Sequence, residues 1–238
     1  MENIAILTAG GIGSRTTQII PKQFISIYDK PIILYTMEAF QKNPEITSIV
    51  VVCLNGWEKY LQTYANQYNI TKLKKIVIGG SSNYESILAG ISAVKEFAKD
   101  DDIVMIHDGN RPLISDSIIT NNIRTAKEFG NAITYIPTTE VVFMHNGQND
   151  KPTLLDRDKL IRTQTPHTAK LGFMIEVYER AEKENLNDKA AFCSVLSSLG
   201  YTIHFVEGNA LNFKITFKED IKIFKGLVSL GDKNNDLQ

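Results

Sequence analysis

Four apolar runs rich in β-branched residues, each followed by a turn and a stretch of helical periodicity, restrict this chain to a small set of folds. Ile4–Leu7, Ser48–Leu54, Lys75–Ile78 and Ile103–His107 read as strands buried on both faces. Between them, the set Ile33, Leu34, Met37 and Phe40, the segment Trp57–Tyr68, and the set Ile87, Leu88, Ile91 and Val94 recur at helical spacing. Pro31 suits the first turn of the first of these helices, and another helix is expected over Asp116–Phe129. This alternation predicts an α/β fold with a doubly wound, mostly parallel sheet, helices on both faces, and ligands beyond the carboxyl ends of the strands. At 238 residues the chain is long enough for one such domain and short for two, so residues 1–238 are expected to form a single domain.

From Ala132 the pattern changes. Ala132–Ile136 reads as a strand, and Val141–Met144 with Thr153–Leu155 bracket the turn formers Asn146, Gly147, Asn149 and Pro152. Residues 137–157 are therefore expected to project as a β-hairpin arm, whose Phe143 and Met144 a monomer would expose. Helices are expected at Leu171–Glu184 and Lys189–Leu199, a strand at Ile203–Val206, and a last helix at Lys218–Leu230 with Thr216 and Glu219 as its capping box. The polar tail from Gly231 is expected to fray.

Composition removes several function classes. With 26 basic and 27 acidic residues the formal net charge is −1, which argues against a polyanion-binding surface, and no nucleic-acid partner is expected. A strand begins within three residues of the N-terminus, with neither a signal peptide nor an apolar span, so a cytoplasmic protein without a membrane partner is expected. Cys53 and Cys193 read as buried thiols. His107, His145, His167 and His204 lack metal-ligand spacing and form no visible nucleophilic constellation, which leaves them structural or surface roles.

Three turns at strand ends carry the chemistry. Leaving the first strand, Gly10, Gly11 and Gly13 let backbone N–H groups approach an anion, and Arg15 and Lys22 supply the cations that a nucleoside triphosphate needs. The sequence is no Walker loop, because Ser14-Arg15 follows Gly13, and no dinucleotide fingerprint, because Thr16 stands where a third glycine belongs. The plainer reading is a tight connection with two solvated basic residues. After the third strand come Gly79-Gly80 and Ser86, whose hydroxyl could cap the next helix or, with backbone at Gly80 and Gly10, read a pyrimidine edge; spacing alone favours capping. After the fourth comes Asp108, a candidate ligand for Mg²⁺ or else a turn or N-cap aspartate, with Arg111 held by Pro112. Asp156-Arg157 with Thr163–Pro166, and Asn212–Lys214, read as turn residues by spacing alone.

Together, Thr8-Ala9-Gly10-Gly11, Arg15, Pro21-Lys22-Gln23, Gly79-Gly80, Ser86, His107-Asp108, Arg111-Pro112, Asp156-Arg157, Gln164-Thr165-Pro166, Asn212 and Lys214 resemble the signatures of the polyol-phosphate cytidylyltransferases. That family contains the 2-C-methyl-D-erythritol 4-phosphate and ribitol 5-phosphate enzymes, and the likeness spans nearly the whole chain. It implies a Rossmann-like nucleotidyltransferase that moves CMP from CTP to a phosphorylated polyol with Mg²⁺ as cofactor. By the resemblance, Arg15 and Lys22 stabilise the transition state. Thr8, Ala9, Gly10, Gly11, Gly13, Gly79, Gly80, Ser86 and Asp108 bind the nucleotide, and Asp108 also holds the metal. Arg111, Arg157, Thr165 and Lys214 bind the acceptor. A homodimer built on the arm is implied as well, with Arg157 reaching the partner's acceptor site.

The attacking group would already be an ionised phosphate, so no strong general base is required, and positioning and charge stabilisation suffice. Three positions depart from the family pattern: Asn83 replaces an Arg, Asn110 a small or aliphatic residue, and Val141 a Thr. Ala9-Gly10-Gly11 and Pro21–Phe24 look closer to the ribitol branch, which is favoured over methylerythritol phosphate as acceptor. Two readings from other classes remain: a nucleotide-binding regulatory protein without turnover, motivated by Asn83 and Val141, and a nicotinamide oxidoreductase, which the missing third glycine disfavours.

Overall fold

A computed structural model describes residues 1–11, 20–145, 147, 151–186 and 189–235, with side chains up to residue 230. In chain order the elements are β1 (Asn3–Ala9), a 3₁₀ turn (Lys22–Phe24), β2 (Ser26–Ile27), β3 (Lys30–Pro31), α1 (Ile32–Lys42), β4 (Ser48–Cys53), α2 (Glu58–Gln67), β5 (Leu73–Ile78), α3 (Asn83–Lys95), β6 (Ile103–Asp108) and α4 (Asp116–Phe129). There follow β7 (Asn131–Pro137), β8 (Val142–Met144), β9 (Thr153–Leu155), a second 3₁₀ turn (Arg157–Lys159), β10 (Ile161–Lys170), α5 (Leu171–Lys183), α6 (Phe192–Ser198), β11 (Phe205–Glu207) and α7 (Lys218–Asn235). Seven strands share one sheet in the order β11-β7-β10-β6-β1-β4-β5. All its pairings are parallel except those of β10, which runs antiparallel between β6 and β7.

The period-two alternation of strand side chains builds a core on each side of the sheet. From β1, Ala5 and Leu7 pack with Ile33 and Phe40 of α1, Leu61 of α2 and Ile119 of α4. Ile4 and Ile6 point the other way, onto Ile87 and Ile91 of α3, Met174 of α5 and Phe192 of α6. The winding is therefore double, as the alternation of apolar runs predicts. No described helix is long and apolar enough to cross a membrane.

β10 corrects the sequence reading, which took Thr163–Pro166 as turn residues closing the hairpin. They lie inside a ten-residue strand, where the register shifts between Thr163 and His167. That irregularity accommodates Pro166, which has no N–H to give a ladder. A buried polar network stands in for part of the ladder. Thr134 Oγ1 donates to the Pro166 carbonyl (2.9 Å), and Asn122 Nδ2 donates to Thr134 Oγ1 (3.0 Å) and to the Ile118 carbonyl (2.9 Å).

Smaller differences have local causes. Pro31 precedes α1 rather than opening it. α6 begins at Phe192 rather than Lys189, since Ala191 is extended (φ −130°, ψ 132°). At the start of α7, Asp220 Oδ2 accepts from the backbone N–H groups of both Thr216 and Phe217 (2.7 Å each), so Asp220 supplies the cap expected of Thr216 and Glu219. The same helix runs on to Asn235, beyond the point where fraying was expected. Cys53 is buried as expected, whereas Cys193 is partly exposed.

Asn122 is fully buried, so bulk solvent does not reach its partners. Asn122→Ala should destabilise the protein by about 2–3 kcal/mol, because Thr134 and the Ile118 carbonyl lose a buried donor. Equilibrium urea unfolding measures this, and a loss below about 0.5 kcal/mol would mean that the network does not hold β10 in place.

Candidate active site

At the carboxyl end of the parallel strands lies a cleft of about 470 Å³, lined among others by Thr8, Gly10, Gly11, Lys22, Gly80, Ser86, Asp108 and Lys214. Two of the turns beside it approach closely through their backbones. A Cβ placed on Gly79 would stand 2.9 Å from Ser86 Oγ, and one on Gly10 would stand 3.3 Å from the same oxygen. Glycine at both positions brings the two turns together around the Ser86 hydroxyl. Ser86 does not cap α3; Ser82 does, its side chain accepting from the Glu85 N–H. The buried Ser86 hydroxyl donates to the Ser82 carbonyl (2.9 Å), which leaves its lone pairs beside Gly10 and Gly79.

Gln23 and Phe24 hold the segment carrying Lys22. Gln23 is buried, and its Nε2 donates to the carbonyls of Ala9 (2.7 Å) and Gly11 (2.9 Å), bracing the exit from β1. The Phe24 ring stacks on Trp57 at 4.5 Å and meets Tyr60 edge-on at 5.7 Å. Lys22 is thereby kept at the mouth of the glycine turn, lining the cleft.

Asp108, the last residue of β6, organises the opposite wall. Its Oδ1 accepts from Lys214 Nζ (2.8 Å) and its Oδ2 from Arg111 Nε (2.9 Å), while its N–H donates to Thr165 Oγ1 (3.1 Å). Burial alone would raise this carboxyl, but the charges of Lys214 and Arg111 and their hydrogen bonds overcome it and hold it well below the usual carboxylate range. Arg111 Nη1 also donates to the Asn212 carbonyl (2.8 Å), and Asn110 Nδ2 donates to the Ile215 carbonyl (2.6 Å), so the segment bearing Lys214 is fastened to the β6 turn.

His107 lies fully buried behind Asp108, its Nδ1 3.2 Å from Thr165 Oγ1 and its Nε2 3.2 Å from the Arg111 carbonyl. Burial pushes its pKa down to about 3 against the opposing charge of Asp108. Among the described residues no group of three or more His, Cys, Asp or Glu could hold a metal ion. One ionised carboxylate at the cleft suits Mg²⁺, which takes one or two protein carboxylates and completes its shell with phosphate oxygens and water.

A second cavity of about 170 Å³ adjoins the cleft, and Thr8, Asn83, Asp108 and Lys214 line both. Arg111 and Thr165 line the second cavity. Of the other site residues expected from sequence, Ala9 and Gly79 line neither cavity, and Gly13 and Arg15 lie outside the described residues. Arg157 is exposed on the turn after the hairpin, its Nη1 3.4 Å from the Thr139 carbonyl, and lines neither cavity. Sequence reasoning gave no role to the Gln23 brace and saw Asn83 only as a departure. Asn83 Nδ2 donates to the Ala190 carbonyl (2.6 Å), tying α3 to the segment before α6 and closing the second cavity. A glutamine directly after Lys22 was the available signal for the first; nothing local signalled the second.

The chain matches the family model of 2-C-methyl-D-erythritol 4-phosphate cytidylyltransferase (IspD) over residues 3–229. It is 36% identical over 223 residues to the ribitol-5-phosphate cytidylyltransferase of Lacticaseibacillus paracasei, covering 93% of this chain and 95% of that one. It is 37% identical over 221 residues to the 2-C-methyl-D-erythritol 4-phosphate cytidylyltransferase of Clostridium tetani, covering 92% and 87% of the two chains. The crystal structure of the 4-diphosphocytidyl-2C-methyl-D-erythritol synthase from Anaerococcus prevotii has the same fold, with a TM-score of 0.81 at 19% identity over 96% of each chain. The chain belongs to the 2-C-methyl-D-erythritol 4-phosphate cytidylyltransferase family.

The buried rings give a pH dependence with a definite sign. Burial lowers His107 to about 3 and His167 to about 4 from an ordinary value of 6.5, so each is neutral when folded and gains a proton on unfolding below that value. Their contribution is complete above pH 6.5 and declines as pH falls towards 4. Urea unfolding in the presence of chelator should show stability falling by up to ~1.4 kcal/mol per pH unit for each ring across that window. His167→Gln should shallow the slope by one proton, and an unchanged slope in that variant would show that His167 titrates normally.

Proposed function

We propose that this member of the family transfers CMP from CTP to a phosphorylated open-chain polyol, ribitol 5-phosphate or a close relative, forming a CDP-polyol and pyrophosphate. The continuity of the cleft with the second cavity, through walls that share Asp108 and Lys214, carries this reading. The cleft has glycine backbone and the Ser86 hydroxyl for a pyrimidine nucleotide, and the cavity has Arg111 and Lys214 for an anionic acceptor. A phosphate oxygen of the acceptor attacks the α-phosphorus of CTP, the bond from that phosphorus to the bridging oxygen of the β-phosphate breaks, and pyrophosphate leaves. Lys22, with Arg15, meets the charge that develops as this bond breaks. Asp108 would hold Mg²⁺, which supplies further neutralisation of the triphosphate charge.

The relatives that act on ribitol 5-phosphate favour that acceptor. The family model and the Clostridium tetani relative support 2-C-methyl-D-erythritol 4-phosphate as the second reading. Pyrophosphate release with CTP and a panel of phosphorylated polyols tests the proposal. CTP with a polyol phosphate should turn over, ATP and GTP should not replace CTP, and a panel without turnover would end this reading. In the active pair, Lys22→Ala should lower kcat by roughly a hundredfold or more. Near-normal turnover of that variant at saturating CTP would remove Lys22 from the transition state.

The arm supports a twofold homodimer. Val141, Phe143, Met144 and Leu154 are all exposed on β8, β9 and their flanks, and a two-stranded ribbon alone is marginally stable. In that dimer Arg157 would complete the acceptor site of the partner subunit. Two weakly active variants, Lys22→Ala and Arg157→Ala, should therefore regain activity when mixed, since one site of the mixed dimer holds both native residues. No recovery despite demonstrated subunit exchange, or a monomer by sedimentation, would refute the shared site.

A further inference from the structure

The second cavity is lined by a residue that carries a buried polar atom the fold leaves without a partner. Of the five buried side-chain atoms lacking one among the described residues, His167 Nε2 is the atom whose residue lines this cavity. The other polar side chains at its inner end are engaged. Gln164 Nε2 donates to the Asn209 carbonyl (2.9 Å) and its Oε1 accepts from Asn212 Nδ2 (3.1 Å). Thr165 Oγ1 is shared between His107 and Asp108.

His167 is 5% exposed and pairs in register with Ile106 of β6, on the face of β10 that Ala169 shares and that packs towards α3, α5 and α6. The cavity opens on that face, between Ile87 of α3 and Phe192 of α6. A backbone hydrogen bond at Gln164 favours the protonated ring, so the His167 nitrogen making it donates to a carbonyl, and burial keeps the ring neutral. Nε2 then carries a lone pair and no proton. An acceptor buried without a donor destabilises the free protein, and a ligand that supplies the donor removes that penalty.

We infer that His167 is a specificity-determining residue of this site, accepting a hydrogen bond from a hydroxyl of the polyol acceptor. The inference rests on the cytidylyltransferase reading and adds to it the group that recognises the polyol beyond its phosphate. The cavity of about 170 Å³ adjoins the cleft at Asp108 and leaves space there for a short open chain. Arg111 and Lys214 fix the phosphate at the Asp108 end, and the hydroxylated chain extends inward towards Ile106 and His167. A site built to bond a hydroxyl rejects the analogue lacking it far more strongly than an apolar pocket would.

The experiment uses the full-length enzyme, CTP, ribitol 5-phosphate and its singly deoxygenated analogues. For wild type, one analogue should lose roughly tenfold or more in kcat/KM, with the CTP KM unchanged. In His167→Phe that discrimination should collapse to within about twofold, and the acceptor KM should rise about tenfold while the CTP KM stays constant. His167→Gln, which retains an acceptor oxygen, should recover part of the preference. If wild type treats all the deoxy analogues like ribitol 5-phosphate, or if His167→Phe keeps the wild-type ranking, the inference is overturned while the enzyme's activity stands. Absence of pyrophosphate release with every polyol phosphate would overturn the activity itself and the inference with it. Should His167→Phe fail to fold, the contact is tested by His167→Gln: a reduced preference for the same hydroxyl supports it, and a preference equal to wild type overturns it.

Discussion

Asp108 is a carboxylate drawn almost entirely out of water, and it stays ionised because two cations reach it from different parts of the chain. Arg111 comes from the same turn, whereas Lys214 arrives from a segment more than a hundred residues on. Removing either would leave charge only partly compensated in a poorly solvated place, which costs far more than the net worth of the pair. The need to keep those cations in place explains the bonds around them: Asn110 to Ile215, Arg111 to Asn212, and Asn212 Nδ2 to the Thr165 carbonyl at 2.8 Å. The end of β6, the middle of β10 and the approach to α7 are thus bound into one wall.

The opposite wall obeys a steric rule. Gly10 and Gly79 touch because neither has a side chain, and Ser86 fills the angle they leave. Gln23 and the Phe24–Trp57 stack fix the position of Lys22. One wall is held by charge and the other by backbone proximity, so a substitution that weakens one need not disturb the other.

How much of this was legible follows from the range of the forces. The strands β1, β4, β5 and β6 carry β-branched runs that announced them, and the glycine and aspartate turns at their ends announced the cleft. α4 was legible to the residue because Ser115 caps it and Gly130, at φ 90°, ends it. β10 was not. Its polar run and Pro166 argue against a central strand, and it exists because β6 and β7 flank it and because Asn122 and Thr134 compensate for the proline. His167 was invisible for the same reason: only the pairing of β10 with β6 turns an ordinary surface-looking histidine into a buried one.

The pairing of Asp108 with Lys214 and Arg111 also bears on how such a site can work without a base. In the free protein each cation is partly neutralised, so the wall carries little surplus charge and the fold is not strained by like-charge repulsion. On the proposed reading, a phosphorylated substrate would bring oxygens that compete with Asp108 for the same donors, and a divalent cation held by a triphosphate would compete with those donors for Asp108. Exchange of partners would keep each of these groups beside an opposite charge in both states, so binding would not pay the full cost of stranding a buried ion. The donors would then pass from a carboxylate to phosphate oxygens nearby. Catalysis by positioned cations requires donors already near their final places, because reorganising them during the reaction would consume the stabilisation they offer. The ion pairs of the free protein hold them there.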